Sequence, residues 1–118
     1  MAILLREPDA ERCREVLLTE PDLVISAGTL AEASIVANFH DRADELFALV
    51  SGLPFEIVDV TAASAWRVGI VHRRWGKGRH PAALNFGDCF AYELASQRGC
   101  PLLYIGNDFA KTDVVGAL

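Results

Sequence analysis

The feature that most constrains the fold of this chain is the regular alternation of short apolar segments with longer helical ones. Three runs have the length and composition of strands, namely residues 22–26 (DLVIS), 55–60 (FEIVDV) and 101–106 (PLLYIG). Segments with helical periodicity precede and separate them. Strands that alternate with helices favour a parallel sheet covered by helices on both faces, so the sequence predicts an α/β fold.

The helical segments have recognisable ends. Periodicity predicts helices over residues 9–20, 28–42, 43–52 and 61–76, the last closed by a glycine. A further helix is predicted from Pro81, which suits a first helical turn, to about Arg98. The first six residues are expected to be the end of another helix, which stops near Pro8.

Size and composition limit the class of protein. The chain has 118 residues, enough for one domain over residues 1–118, and 52% of them are hydrophobic while 23% are charged. No apolar run is long enough to cross a bilayer, and the first residues lack the pattern of a signal peptide. Three cysteines without metal-ligand spacing indicate reduced thiols, so we expect a cytoplasmic protein.

Charge is distributed unevenly along the chain. Residues 1–60 carry 12 acidic and 4 basic side chains, whereas residues 61–118 carry 4 acidic and 7 basic ones. Five of those seven basic residues lie between Arg67 and Arg79. Such a patch can attract a polyanion although the net charge is −5. The alternative is a solvated helix face without a binding role.

An aspartate stands where the last long helix needs apolar residues. Helical spacing places Asp88 on the flank of the stripe that includes Leu84, Ala91 and Ala95. A buried carboxylate needs a partner, a proton or a cation. Asp88 therefore forms an ion pair with an arginine, lies at the edge of the core, or binds a cation.

Glu32 raises the same question on the helix over residues 28–42. Spacing places it in the middle of an apolar face that includes Ile35 and Phe39. The stretch from Thr29 to Glu32 also fits a capping box, with Thr29 as the N-cap, which would explain the glutamate without a function.

Asp108 directly follows the apolar run 101–106, and Asp113 comes one short loop later. Ligands of parallel α/β sheets bind beyond the carboxyl ends of the strands, although turn aspartates are also common in such positions. Carboxylates that converge at one edge repel each other unless a hard cation, Mg²⁺ or Mn²⁺, joins them. With a basic rim, such a site suits hydrolysis of phosphodiester bonds. Trp66 and Trp75 are expected to pack against the sheet rather than to stack on bases.

Four stretches together resemble a known family. Residues 7–12 (EPDAER), 29–36 (TLAEASIV), 76–95 (GKGRHPAALNFGDCFAYELA) and 101–114 (PLLYIGNDFAKTDV) are similar to the VapC toxins of type II toxin–antitoxin systems, which are PIN-domain ribonucleases. The resemblance implies an α/β/α sandwich with a central parallel sheet, usually a homodimer. It also implies an endoribonuclease that depends on Mg²⁺ or Mn²⁺, uses water as the nucleophile and is blocked by a cognate VapB-like antitoxin.

The resemblance carries roles onto particular positions of this chain. Glu32, Asp88 and Asp108 match the family's second, third and fourth acids, and Asp113 matches an acid that often supports the metal site. Thr112 is expected to orient a carboxylate or water, and Lys77 and Arg79 to contact RNA.

The sequence departs from the family at its start. The family begins with a buried strand that ends in the first metal-binding aspartate, and neither the strand nor that acid precedes the helix predicted at Met1. We expect either a coding sequence that begins upstream or a truncated copy. The alternative to an active nuclease is a PIN-like module that binds an antitoxin without cleaving RNA. A second alternative is an ordinary α/β domain whose acids are caps and ion pairs.

Overall fold

A computed structural model describes residues 8–118 of the chain. Six helices of the α or 3₁₀ type and two strands lie in this range, in the order α1 Ala10–Thr19, β1 Leu23–Ser26, α2 Ala27–Phe39, α3 Ala43–Gly52, β2 Phe55–Val58, α4 Ala62–Trp75, α5 Phe86–Arg98 and a 3₁₀ turn, Phe109–Lys111. The helix end predicted over residues 1–6 lies outside the described residues. No helix in the described range combines the length and the apolar character that crossing a membrane requires.

The two strands pair in parallel, which confirms the predicted α/β class. Their register joins Leu23 to Phe55 and Ser26 to Val58. β2 ends two residues earlier than the sequence predicted, before Asp59. β1 continues directly into α2 at Ala27, so the end of this strand determines where α2 begins.

The prediction of a third strand over residues 101–106 is wrong, because these residues do not form a strand. Only a single bridge forms there, between Leu102 and Gly116. The Leu102 N–H donates to the Val115 carbonyl at 2.8 Å, and the Ala117 N–H donates to the Leu102 carbonyl at 2.9 Å. A ladder needs a partner along its whole length. Within residues 8–118 this segment pairs only with residues 115–117, so apolar composition alone does not make it a strand.

The predicted start of the last long helix is also wrong. α5 begins at Phe86 rather than at Pro81, because Asn85 caps it and the preceding residues form a turn. Within that turn Ala83 has a φ of 52°, and Leu84 bridges back to Gly76. The predicted helix 28–42 is observed as α2, which ends at Phe39 before Asp41 adopts a φ of 55°.

The main core lies between α4 and α5. Its buried members are Val68, Val71, Trp75, Ala82, Leu84, Cys89 and Tyr92. Phe90, Phe109 and Val114 pack against this cluster and so attach the C-terminal segment to α5. Trp75 is buried, but in this cluster between α4 and α5 rather than against the sheet, and the prediction for Trp66 is wrong because this residue is 79% exposed. A smaller cluster around Ala37 and Leu46 joins α2 to α3.

Candidate active site

Asp88 lies in the first turn of α5, where a capping box holds it. The Asn85 side-chain oxygen accepts a hydrogen bond from the Asp88 N–H at 2.9 Å. In return, Asp88 Oδ2 accepts one from the Asn85 N–H at 3.1 Å. Together these bonds satisfy donors that a helix start leaves unpaired. Because one carboxylate oxygen of Asp88 accepts the hydrogen bond from the Asn85 N–H, the Asp88 side chain has a defined orientation on this turn.

The capping box suggested for Thr29 and Glu32 is absent. The N-cap of α2 is Ser26, three residues earlier, and its Oγ accepts a hydrogen bond from the Gly28 N–H at 3.1 Å. The interpretation of Glu32 as part of a buried apolar face is also wrong. Ile35 and Phe39, which would share that face, are 58% and 86% exposed. The position of Glu32 therefore needs an explanation other than capping or core packing.

Glu32 instead reaches from α2 to the first turn of α5. Its carboxylate lies so close to Gly87 that a Cβ on that glycine would overlap it. Gly87 itself is buried and directly precedes Asp88. The glutamate and the aspartate, which are 56 positions apart in the chain, are thus neighbours at the same helix start.

The electrostatics of this region follow from that proximity. Partial burial and the charge of Asp88 raise the pKa of the Glu32 carboxyl above 4.5. Burial also raises the pKa of Asp88; the hydrogen bond from Asn85 opposes this shift, and the charge of Asp108 adds to it. Glu32, Asp88 and Asp108 therefore form a series of carboxylates, which we call the acidic series, in which each repels the next.

Cys89 is next to the acidic series and is fully buried. Burial and the charge of Asp88 raise the pKa of its thiol to about 11. The thiol is therefore protonated at neutral pH, which together with its burial argues against a nucleophilic role, because the thiolate is the reactive form.

Asp108 precedes the 3₁₀ turn on the C-terminal segment. Its carbonyl accepts a hydrogen bond from the Lys111 N–H at 3.2 Å, and its side chain is exposed. The next residue, Phe109, packs on the core and has its ring 5.5 Å from that of Tyr104. The core contact of Phe109 thus positions Asp108 near the start of α5.

Asp113 belongs to a different set of contacts. The Tyr92 hydroxyl donates a short hydrogen bond to its Oδ1, and an Arg74 guanidinium nitrogen lies 3.7 Å from its Oδ2. The neighbouring Thr112 hydroxyl donates to the Phe109 carbonyl at 2.6 Å and accepts from the Val114 N–H at 3.2 Å. The charge of Asp113 is thus balanced by α4 and α5, and the Thr112 hydroxyl is engaged with backbone.

Sequence reasoning did not identify Tyr92 and Arg74 as partners of Asp113. Tyr92 lies one helical turn after Asp88 on the same face of α5, which indicates that it is near the acidic series but does not predict its contact with Asp113. No comparable signal indicated Arg74, because it lies on another helix.

The acidic series is not a preformed cation cage. Within the part of the chain that the structure describes, no three His, Cys, Asp or Glu side chains converge as metal ligands. The chemistry of the donor set nevertheless fits a hard divalent cation. All three members offer carboxylate oxygens, and their mutual repulsion is what a cation relieves.

The predicted basic patch separates into two groups. Arg67 pairs with Glu93, and Arg74 with Asp113 while it also lies 4.5 Å above the Trp75 ring. Arg73, near the end of α4, and Lys77 and Arg79, in the loop between α4 and α5, are exposed and form no ion pair with any carboxylate in residues 8–118. These three cations are therefore available to a polyanion.

Comparisons with known proteins agree with the family resemblance. The family model for the PIN domain matches residues 1–115. Ribonuclease VapC of Mycolicibacterium smegmatis is 40% identical over 119 aligned positions, which cover 97% of this chain and 91% of that protein. Ribonuclease VapC30 of Mycobacterium tuberculosis is 38% identical and covers 97% of this chain and 89% of its own length. Ribonuclease VapC28 of the same species is 37% identical, with 100% and 92% covered.

Proposed function

This chain belongs to the PIN-domain family of VapC ribonucleases, and on that premise we propose that it is a metal-dependent endoribonuclease, the toxin of a type II toxin–antitoxin system. The observation that carries the proposal is the acidic series at the start of α5. Within residues 8–118 these carboxylates have raised pKa values and no ion pair with a cation, which is costly to a fold and typical of functional sites.

We assign the acids to a cation site. Glu32, Asp88 and Asp108 would hold Mg²⁺ or Mn²⁺ through carboxylate oxygens, and Asp113 would support them from the side of Tyr92. When bound, the cation supplies the charge that activates a water molecule and stabilises the phosphate group. The chain's own contribution is to keep Asp88 oriented through the Asn85 capping box and to hold Glu32 beside it. The role proposed for Thr112, orienting a carboxylate or water, would be exerted through the loop that carries Asp113, because the Thr112 hydroxyl bonds to backbone.

We propose that Lys77 and Arg79 contact the RNA backbone. Both are exposed on the loop that leads into α5, and each phosphate contact adds affinity that decreases with salt. The other partners in this proposal are a VapB-like antitoxin and a second copy of the chain, and the protein acts in the cytoplasm. The alternative function is a module that binds the antitoxin without cleaving RNA.

Asp88→Asn tests the proposal. Because the asparagine oxygen can still accept the Asn85 N–H and the repulsion with Glu32 and Asp108 is removed, we expect the variant to fold and to melt at or slightly above the wild-type temperature. RNA cleavage with Mn²⁺ should decrease on the order of 100-fold or more, the size of effect expected for losing an ion ligand. The matched control is Asp44→Asn, which removes an exposed aspartate from the first turn of α3 and should leave cleavage unchanged.

Two results would contradict the proposal. Equal cleavage by Asp88→Asn and Asp44→Asn would remove Asp88 from the site. A wild-type chain that binds its antitoxin, but neither binds Mn²⁺ nor cleaves RNA, would establish the alternative.

A further inference from the structure

Two glycines set how closely α2 approaches α5. A Cβ on Gly28 of α2 would overlap the ring of Phe90 on α5, and a Cβ on Gly87 of α5 would overlap the carboxylate of Glu32 on α2. Each helix therefore presents a glycine to a side chain of the other. The glycine lies one turn before the side chain that the same helix presents, because Glu32 follows Gly28 by four residues and Phe90 follows Gly87 by three.

The two contacts involve different kinds of side chain. The Phe90 ring packs against the main core, so its contact with Gly28 contributes to the stability of the fold. The nearest atoms to a Cβ at position 87 all belong to the Glu32 carboxyl group, the end of a flexible side chain. The space that a methyl group would take at position 87 is therefore occupied by the Glu32 carboxyl group.

We propose that Gly87 is a positioning residue of the acidic series: by lacking a Cβ, it lets the Glu32 carboxylate lie on the first turn of α5, next to Asp88. This inference rests on the proposed function, because the position of Glu32 matters only if the acids act together on a cation. Gly87 touches neither the cation nor the RNA, and it acts through Glu32.

Gly87→Ala tests the inference because it should leave the stability of the helix unchanged or increased while it weakens Mn²⁺ binding. Alanine favours a helix interior more than glycine does, and the displaced carboxylate can turn towards solvent. We therefore expect the metal-free variant to melt at the wild-type temperature or slightly above it. Its Mn²⁺ affinity, measured by isothermal titration calorimetry, should decrease about 10- to 100-fold, as for the loss of a group that orients a ligand.

The matched control is Gly69→Ala on α4. This glycine is also in a helix and is exposed, and a Cβ there meets no atom within 4 Å. The control should show the same gain in helix stability without any loss of Mn²⁺ affinity or of cleavage.

A double-mutant cycle separates positioning from general damage. In a Glu32→Ala background no carboxylate remains for the new methyl group to displace, so Gly87→Ala should not weaken Mn²⁺ binding further. If the substitution weakens binding equally in both backgrounds, the inference is overturned. Mn²⁺ affinity of Gly87→Ala equal to that of Gly69→Ala would also overturn it, while leaving the proposed function intact.

A crystal structure of metal-free Gly87→Ala gives a readout that does not depend on activity. We expect the Glu32 carboxylate to have moved away from Asp88, with α5 unchanged. A carboxylate in its original place would refute the inference. If the wild-type chain neither binds Mn²⁺ nor cleaves RNA, the proposed function fails. The crystal structure of Gly87→Ala would still decide whether Gly87 positions Glu32.

Discussion

The ion pair between Arg67 and Glu93 should respond very differently to the loss of its two members. Arg67 Nε donates to Glu93 Oε1 at 2.9 Å and joins α4 to α5 beside the main core. The Glu93 side chain is only 9% exposed, whereas that of Arg67 is 40% exposed. An Arg67→Met variant keeps an apolar stem but leaves a buried carboxylate without its partner. A Glu93→Leu variant leaves an arginine that can turn into solvent.

The exposures determine the expected magnitudes. Breaking a fully buried pair costs roughly 3–5 kcal/mol. Water reaches the guanidinium side of this pair, so we expect Arg67→Met to lower the free energy of unfolding by about 2–3 kcal/mol. That loss corresponds to a decrease of about 10 °C in melting temperature for a chain of this size. Glu93→Leu should cost about 1 kcal/mol or less. The double variant should be close to the wild type, since a buried pair and an apolar pair are often equivalent.

Thermal and urea unfolding of the four proteins measures this cycle. The control is the exposed pair of Arg98 and Glu56, whose side chains are 43% and 59% exposed at a distance of 2.7 Å. Arg98→Met should leave the melting temperature almost unchanged. Equal losses for Arg67→Met and Glu93→Leu would refute the argument from exposure. A double variant that loses the sum of the two single effects would show that the residues are not coupled.

Two further perturbations test the start of α5 and the acidic series. Asn85→Ala removes the N-cap of α5 and should lower the free energy of unfolding by about 1 kcal/mol, whereas Asn85→Ser can still cap the helix and should lower it much less. Chemical denaturation measures both variants. Equal losses would contradict the role of the Asn85 side chain as the N-cap. Glu32→Gln should stabilise the metal-free protein at pH 7 and so raise its melting temperature. The gain in the free energy of unfolding should be less than about 1 kcal/mol, because solvent screens this exposed group. The pKa of Glu32 is raised in the fold, so its favourable contribution is complete below pH 4.5 and is lost as the pH rises through the folded value. The difference between variant and wild type should therefore disappear near pH 3.5, and a difference that grows in acid would contradict the direction of the shift.

Local patterns in the sequence predicted much of the fold correctly. The helix predicted over residues 43–52 is α3, and the one predicted over 61–76 is α4 to within one residue at each end. Both have clear periodicity, and a capping box of Thr61 and Ser64 starts α4. Motifs in the same sequence also indicated the VapC family, which the comparisons confirm.

The errors occur where contacts between different segments, and not local periodicity, decide the structure. Residues 81–85 form a turn because Leu84 bridges to Gly76, and residues 101–106 pair at one point because their neighbour in the described chain is short. Trp66 is exposed because no element covers that face of α4 within residues 8–118. Periodicity describes a helix and its faces, but it contains no information about which neighbour a face meets.

For the candidate site, too, the sequence predicted some features and the tertiary structure determined others. Residue type and spacing singled out Glu32, Asp88, Asp108 and Asp113, since carboxylates are recognisable in any apolar pattern. Only the tertiary structure decided that the first three repel one another while Asp113 is balanced by Tyr92 and Arg74. It also placed Glu32 on Gly87, a contact between two helices that no local pattern encodes. The sequence by itself determined which residues can carry charge and where α3 and α4 lie, because both depend on residue type and local periodicity. Which charges meet is determined by packing, because it depends on how α2, α4 and α5 approach one another.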